Sequence, residues 1–182
     1  MKKITAILSL FIIASLFCLK AQNDLAHRHE FKLNLGTSVF MAFPEVSYEY
    51  ILSEDMSVGA AMGFGFDTKE YDPYRFRATP FLRWFFGRMQ QPAAGFFIEA
   101  NAAMGIQDIY TYNYDTSSME SNYLKDKSMF AVGLGLAAGW KYLSKNNWVG
   151  DLFLGAGRNL VYDKDYDGSI YPRIGISIGK RF

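Results

Sequence analysis

The sequence repeatedly alternates apolar residues with polar or small ones at a period of two. The clearest case is the segment 56–66, in which Met, Val, Ala and Phe occupy every second position and Ser, Gly or Ala lies between them. A period of two places alternate side chains on opposite faces of a β-strand, whereas an amphipathic helix needs a period of about 3.6. The pattern therefore predicts strands that have one apolar face and one face of small or polar residues.

Seven other segments share this alternation: 30–40, 45–52, 75–86, 95–104, 129–142, 148–157 and 170–182. The last one ends on Phe182, with Ile174 and Ile176 on its apolar face. Because a bare strand edge is prone to aggregate, we expect this strand to pair and the sheet to close into a barrel. A further hairpin in 107–128 would make ten strands, but we interpret the alternation there as a strand continuing beyond the membrane.

The first 22 residues have the layout of a cleaved secretory signal peptide. Lys2 and Lys3 precede an apolar run over 4–19, which is shorter than the roughly 20 residues of a membrane-spanning helix. We therefore predict a signal peptide over 1–22, a short periplasmic segment over 23–30 and a barrel over 31–182. Cleavage would remove the only cysteine, Cys18, and would leave 16 basic against 18 acidic residues, a balance that gives no indication of nucleic-acid binding.

The predicted connections alternate in length, as they do in outer-membrane barrels. The segments 53–55, 87–93 and 143–147 are short, and 67–74, 107–128 and 158–168 are longer. We place both termini and the short turns on the periplasmic side. Trp84, Trp140 and Trp148 lie near those short turns and, with Phe182, predict an aromatic girdle at the periplasmic interface.

Taken together, the signal peptide, the strand count, the loop asymmetry and the Phe-terminated last strand resemble the small eight-stranded outer-membrane barrels of the OmpA/OmpX type. The resemblance covers 31–182 and implies an all-β, eight-stranded antiparallel up-and-down transmembrane barrel in the outer membrane of a Gram-negative bacterium. It also implies contact with outer-membrane lipid and recognition of the terminal aromatic by the barrel-assembly machinery. Lys180 departs from that signal, which usually has an apolar residue at this position.

The inward faces of the predicted strands carry charges of both signs. An eight-stranded interior is just wide enough for side chains, and a lone buried charge costs several kcal/mol. We therefore predict that Glu49 and Glu99 pair with Arg77, Arg83 or Arg173 and close the lumen, with neighbouring glycines and alanines leaving room for the arginines. The whole predicted network comprises Glu45, Glu49, Glu99, Asp151, Arg75, Arg77, Arg83 and Arg173, with Lys141 and Arg181 on the same faces. A narrow pore for small solutes is the alternative.

One segment of the last long loop resembles the start of a calcium-binding loop. Asp163, Asp165 and Asp167 are followed by Gly168, a spacing that suits a hard cation, but the twelfth position is Ile174 instead of glutamate. Calcium at this loop is therefore one hypothesis, and a solvated acidic hairpin tip is the other. No other cofactor is expected.

The remaining function classes are separated by residue type. Both histidines precede the first predicted strand and no mature cysteine remains, so we expect no enzyme. The outer loops are rich in tyrosine and acidic residues, which suits a structural or surface-interaction role with a protein or surface-glycan partner.

A soluble lipocalin-like barrel is the other alternative. It would invert the two faces, so that Met62, Phe64, Leu134 and Leu136 line a ligand pocket.

Overall fold

The structure, a computed structural model, describes residues 27–66, 74–86, 91–115, 120–161 and 169–182, without the side chains of 109–115 and 120–127. The predicted signal peptide over 1–22 lies outside these ranges. Nine elements follow one another: β1 His29–Asn34, α1 Leu35–Phe40, β2 Glu45–Ile51, β3 Met56–Phe64, β4 Tyr74–Phe86, β5 Gly95–Asp115, β6 Glu120–Leu143, β7 Trp148–Val161 and β8 Ile170–Arg181.

The eight strands form one closed barrel in which each strand pairs with its neighbours in sequence. All of these pairings are antiparallel, and β8 returns to β1 in a register that runs from Glu30 opposite Arg181 to Asn34 opposite Ser177. Beyond this ladder, His29 and Phe182 exchange backbone hydrogen bonds of 3.0 and 2.8 Å. The predicted eight-stranded antiparallel up-and-down barrel is confirmed, and Phe182 lies beside the first strand.

The first strand is shorter than its alternation predicted. We expected a strand over 30–40, but β1 ends at Asn34 and α1 follows it. The Asn34 side chain accepts a hydrogen bond from the Thr37 amide at 3.3 Å, which is the bond that an asparagine makes at a helix N-cap. Local capping chemistry therefore overrides the period of two from Leu35 onward.

Strands β5 and β6 extend well beyond the barrel. Pairing of β5 with β4 reaches Gln107, and pairing of β7 with β6 begins at Val132. In contrast, β5 and β6 stay paired with each other out to Asp115 opposite Glu120. The described parts of residues 108–131 thus form a two-stranded ribbon, which agrees with our interpretation of this segment as a strand continuing outward.

The barrel is apolar outside and polar inside. The described outward positions within 56–64, 76–86, 96–106 and 130–142 carry no charge and include half-exposed or more exposed side chains such as Met62, Phe64, Phe130, Leu134, Leu136 and Trp140. Most inward positions are small, aromatic, polar or charged. The lipocalin-like alternative is wrong, because the residues that it would place in a pocket lie on the outer surface. None of the described helical segments is long and apolar enough to cross a membrane.

Candidate functional site in the barrel interior

Arg83 on β4 holds three carboxylates together at the centre of the barrel. Its Nε donates to Glu99 at 2.8 Å, and its Nη1 donates to Glu49 at 3.0 Å and to Asp151 at 2.6 Å. These four side chains come from four different strands and are at most 3% exposed. A planar guanidinium with five N–H donors in a fixed fork suits such multiple pairing.

Two lysines extend the network toward the end of the barrel where the described termini lie. Lys32 Nζ donates to Asp151 at 2.7 Å, to Glu30 at 3.2 Å and also to Glu49. Lys141 Nζ donates to Glu30 at 2.8 Å and to Glu49 at 2.6 Å. Every carboxylate in this group therefore has more than one cationic partner, which offsets the cost of burying it.

On the other side of Arg83, Arg173 links the network to the opposite half of the barrel. Its Nε donates to Glu99 at 2.7 Å and its Nη1 donates to Glu45 at 3.0 Å. Arg77 Nη2 lies 3.8 Å from the second oxygen of Glu45. This network of paired charges thus contains five acids (Glu30, Glu45, Glu49, Glu99 and Asp151) and six bases (Lys32, Arg77, Arg83, Lys141, Arg173 and Arg181), so its charges nearly balance.

Aromatic rings fill the space around the arginines. The Arg83 guanidinium lies 4.4 Å from the Phe97 ring centre and 4.6 Å from that of Phe81, and Arg173 lies 4.7 Å from that of Phe153. Such cation–π contacts strengthen when they are shielded from water. Buried aromatic rings therefore stabilise the same guanidinium groups that the carboxylates bind.

Inward glycines make room for these rings and not, as we expected, mainly for the arginines. A Cβ added to Gly175 would lie 2.3 Å from the Phe153 ring, and one added to Gly157 would lie 2.1 Å from the Tyr171 ring. Two non-bonded carbon atoms cannot approach so closely. The small residues thus permit an aromatic packing that alternation alone does not reveal.

At the end of the barrel beside the described termini, Arg181 joins Glu30 to the connection that precedes β5. Its Nε and Nη2 donate to Glu30 at 2.8 and 2.6 Å. The same guanidinium donates to the carbonyls of Pro92 and Ala93 at 2.8 and 3.0 Å. Ala93 is fully buried, so the described part of this connection packs into the barrel mouth.

The other half of the interior is less charged. Phe43, Tyr74 and Tyr171 form a buried cluster with two alanines. The Tyr74 hydroxyl donates to Asn159 at 2.9 Å, and the Tyr171 hydroxyl donates to Asn101 at 2.8 Å. On the side of the ion pairs that faces away from the described termini, aromatic packing and neutral hydrogen bonds therefore occupy the described interior.

The structure brings most of the predicted network together. The predicted residues that it places inside and pairs are Glu45, Glu49, Glu99, Asp151, Arg77, Arg83 and Arg173. Arg75 is the exception, because its side chain is 58% exposed and pairs with Asp108 at 3.1 Å. The β4–β5 register shifts between Tyr74 and Phe76, and this irregularity takes Arg75 out of the alternation that was used to place it inside.

Sequence reasoning missed the two buried charges of β1 and most of the buried aromatic rings. Glu30 was assigned to the segment before the barrel, and Lys32 was not included in the network, although both are fully buried on β1. Both share the inward phase of Asn34, so their spacing could have identified them. Phe81 and Phe97 also lie at inward positions of their strands, in phase with Arg83 and Glu99.

The other predicted residues lie on the outer surface or outside the described ranges. Trp84, Trp140, Trp148 and Phe182 are 50–57% exposed, near the end of the barrel that carries the described termini. Asp163, Asp165 and Asp167 of the calcium hypothesis lie outside the described residues.

Comparison with known proteins gives one solved structure and one family. The N-terminal β-barrel domain of OprF from Pseudomonas aeruginosa is 18% identical over 86% of this chain and 96% of that domain, with a TM-score of 0.49. No curated protein matches the sequence. A family model described as "Protein of unknown function (DUF3575)" matches residues 8–174, and the chain belongs to this family.

Proposed function

We propose that this protein is an outer-membrane β-barrel with a structural or surface-interaction role, whose lumen is closed by ion pairs and aromatic rings. The observation that carries the proposal is the reversal of polarity across the wall. The central charged side chains are at most 3% exposed, whereas Leu136 and Leu154 outside are 65% and 72% exposed.

An apolar outer surface is unfavourable in water and favourable in a lipid bilayer. In water, such an exterior would leave a continuous apolar surface far larger than soluble monomers normally expose. In a bilayer, the same surface is solvated by acyl chains, and an outward apolar band with aromatic residues at its edges is typical of transmembrane barrels. The outward positions over 76–86 on β4 match the length of about 9 to 11 residues that a membrane strand needs.

The proposed orientation follows from the ends of the barrel. The three tryptophans lie close to the end that carries the described termini, and the β5–β6 ribbon extends from the other end. We place the termini in the periplasm and the ribbon outside the cell, where it would contact a protein partner. Membrane lipid and, during biogenesis, the barrel-assembly machinery are the other proposed partners.

A charge placed on the outer surface tests the membrane location. Leu136→Arg should lower the free energy of unfolding in lipid vesicles by about 2–4 kcal/mol, because an arginine is costly near the bilayer midplane. Leu160→Arg is the matched control near the rim of β7, where the cost falls to about 0–1 kcal/mol. Both leucines are similarly exposed, at 65% and 61%, so a soluble barrel would tolerate both changes equally.

Cell fractionation gives the independent test of the same proposal. The protein should sediment with the outer membrane, require detergent for extraction and change its mobility on a gel when boiled. Recovery in a detergent-free soluble fraction would contradict the proposed location.

A further inference from the structure

The barrel wall is interrupted where β1 gives way to α1. The ladder between β1 and β8 ends at Asn34 opposite Ser177. Beyond it, the Asn34 side chain donates to the carbonyl of Ile174 and accepts from the amide of Ile176, both at 3.2 Å. One side chain thus supplies bonds that a continuing strand would have made.

The edge of β8 beyond Asn34 carries a proline on its unpaired side. Backbone groups of a strand point alternately to its two neighbours, and Ile174 and Ile176 point toward β1. Pro172 therefore points the same way and has no N–H to donate. Proline is tolerated at a strand edge that has no partner, so the β8 sequence fits a permanent gap in the ladder.

Beside this gap, the outer surface forms an apolar groove of about 610 Å³. It is bounded by α1 and runs across β8, β7 and β6 to Phe96 on β5. None of the described residues around it is charged. Its lining includes Phe40, Ala138, Trp140, Leu152, Leu154 and Ile176. The outside of a closed barrel is convex, so a groove of this size depends on the helix standing at the gap.

We infer that this groove binds one acyl chain of a membrane phospholipid more tightly than the outer surface around it does. The inference rests on the proposed membrane location. Two observations favour an acyl chain as the occupant: the lining carries no charge, which suits a hydrocarbon, and the groove is continuous with the outward apolar band. Phe40 of α1 is 72% exposed and offers a further apolar contact at the edge of the groove.

Trp140 lies in the groove and can report binding. We would prepare one protein that keeps only Trp140 (Trp84→Phe, Trp148→Phe) and one that keeps only Trp148 (Trp84→Phe, Trp140→Phe). Trp140 and Trp148 are 50% and 51% exposed, but only Trp140 lines the groove. Each protein is held in micelles of a steroid-based detergent, which has no acyl chain, and phosphatidylcholine with brominated acyl chains, which quench nearby indoles, is added to an increasing mole fraction of the micelle.

We expect Trp140 fluorescence to fall steeply at low mole fractions of brominated lipid, with an apparent preference of about threefold or more for the lipid chain over the detergent in the groove. Trp148 should follow the bulk fraction. In the Trp140-only protein, Ala138→Leu fills the groove floor and should return the curve to the bulk value. Ala100→Leu, the same change at an exposed alanine on β5 that is not in the groove lining, should leave the preference intact.

Identical curves for the two tryptophans, or an unchanged curve after Ala138→Leu, would overturn the inference. A detergent-stable dimer that Ala138→Leu dissociates would also overturn it, in favour of a second copy of the chain in the groove. Failure of the proposed membrane location is distinguishable, because neither tryptophan would then be quenched by the micellar lipid.

Discussion

At the scale of single residues, Arg83 and Arg75 show how strongly the position of a charged side chain in the barrel determines its contribution to stability. Both are on β4 and both pair with an aspartate, but Arg83 is 2% exposed and binds three carboxylates, whereas the Arg75 side chain is 58% exposed. A buried charge that loses its partner is not solvated by water, whereas an exposed charge is.

We predict that Arg83→Met lowers the free energy of unfolding by about 3–5 kcal/mol, because it leaves buried carboxylates uncompensated. Arg75→Met, the control, should cost less than Arg83→Met, because Arg75 is exposed and Asp108 keeps a hydrogen bond from Ser128 at 2.7 Å. Urea unfolding in lipid vesicles, followed by tryptophan fluorescence, measures both. Equal losses for the two variants would mean that the interior ion pairs do not contribute as the structure indicates.

Two glycines of β7 allow a similar comparison for packing. A Cβ at Gly157 would meet the Tyr171 ring, whereas one at Gly150 would have its nearest neighbour at 3.9 Å. We expect Gly157→Ala to cost about 1–3 kcal/mol by overpacking and Gly150→Ala to be nearly neutral. The same unfolding experiment checks this pair, and a neutral Gly157→Ala would show that the Tyr171 ring can move aside.

At the scale of elements, alternation predicted five of the eight strands close to their observed positions because it reports which face of a strand is apolar. It failed over Leu35–Phe40, where apolar residues also suit a helix and the Asn34 cap decides between the two. It also underestimated the lengths of β5 and β6, because the outer ribbon needs no lipid-facing row of apolar residues and pairs through its backbone. Local chemistry and strand pairing, which a single face pattern does not encode, account for both differences.

The β5–β6 ribbon should be dispensable for folding. Beyond Gln107 and before Val132, these strands pair with each other and not with β4 or β7. Tyr110 lies opposite Lys125, so replacing residues 111–124 by Asn-Gly closes a two-residue hairpin turn without altering the register.

We expect this shortened protein to retain its gel mobility shift on boiling and to unfold within about 1 kcal/mol of the full-length protein, a small change on the scale of core mutations. Binding to a cell-surface partner should be lost if the ribbon provides the contact. A protein that no longer folds would show that the ribbon contributes to assembly of the barrel.

At the scale of the whole molecule, the interior could be predicted as charged but not as a specific network. The face pattern identified Glu49, Glu99 and Arg83 as inward, yet the partners of each charge depend on shear, which brings distant strands to one height. Arg173 contacts Glu45 across the closed barrel, 128 residues apart in sequence. Such contacts exist only once eight strands have closed, so alternation within one strand cannot specify them.

Side chains at several heights inside the barrel lead to a prediction about transport. Arg181 contacts Glu30, Pro92 and Ala93 at one mouth, ion pairs and rings lie in the centre, and the Phe43 cluster lies beyond them. We expect the purified protein to form no steady channels in planar bilayers at neutral pH. Arg181→Ala should remain non-conducting as well, because the central network and the Phe43 cluster are still present. Steady conductance of the unaltered protein would favour the narrow pore, and conductance that appears only in Arg181→Ala would mean that this one guanidinium closes the barrel.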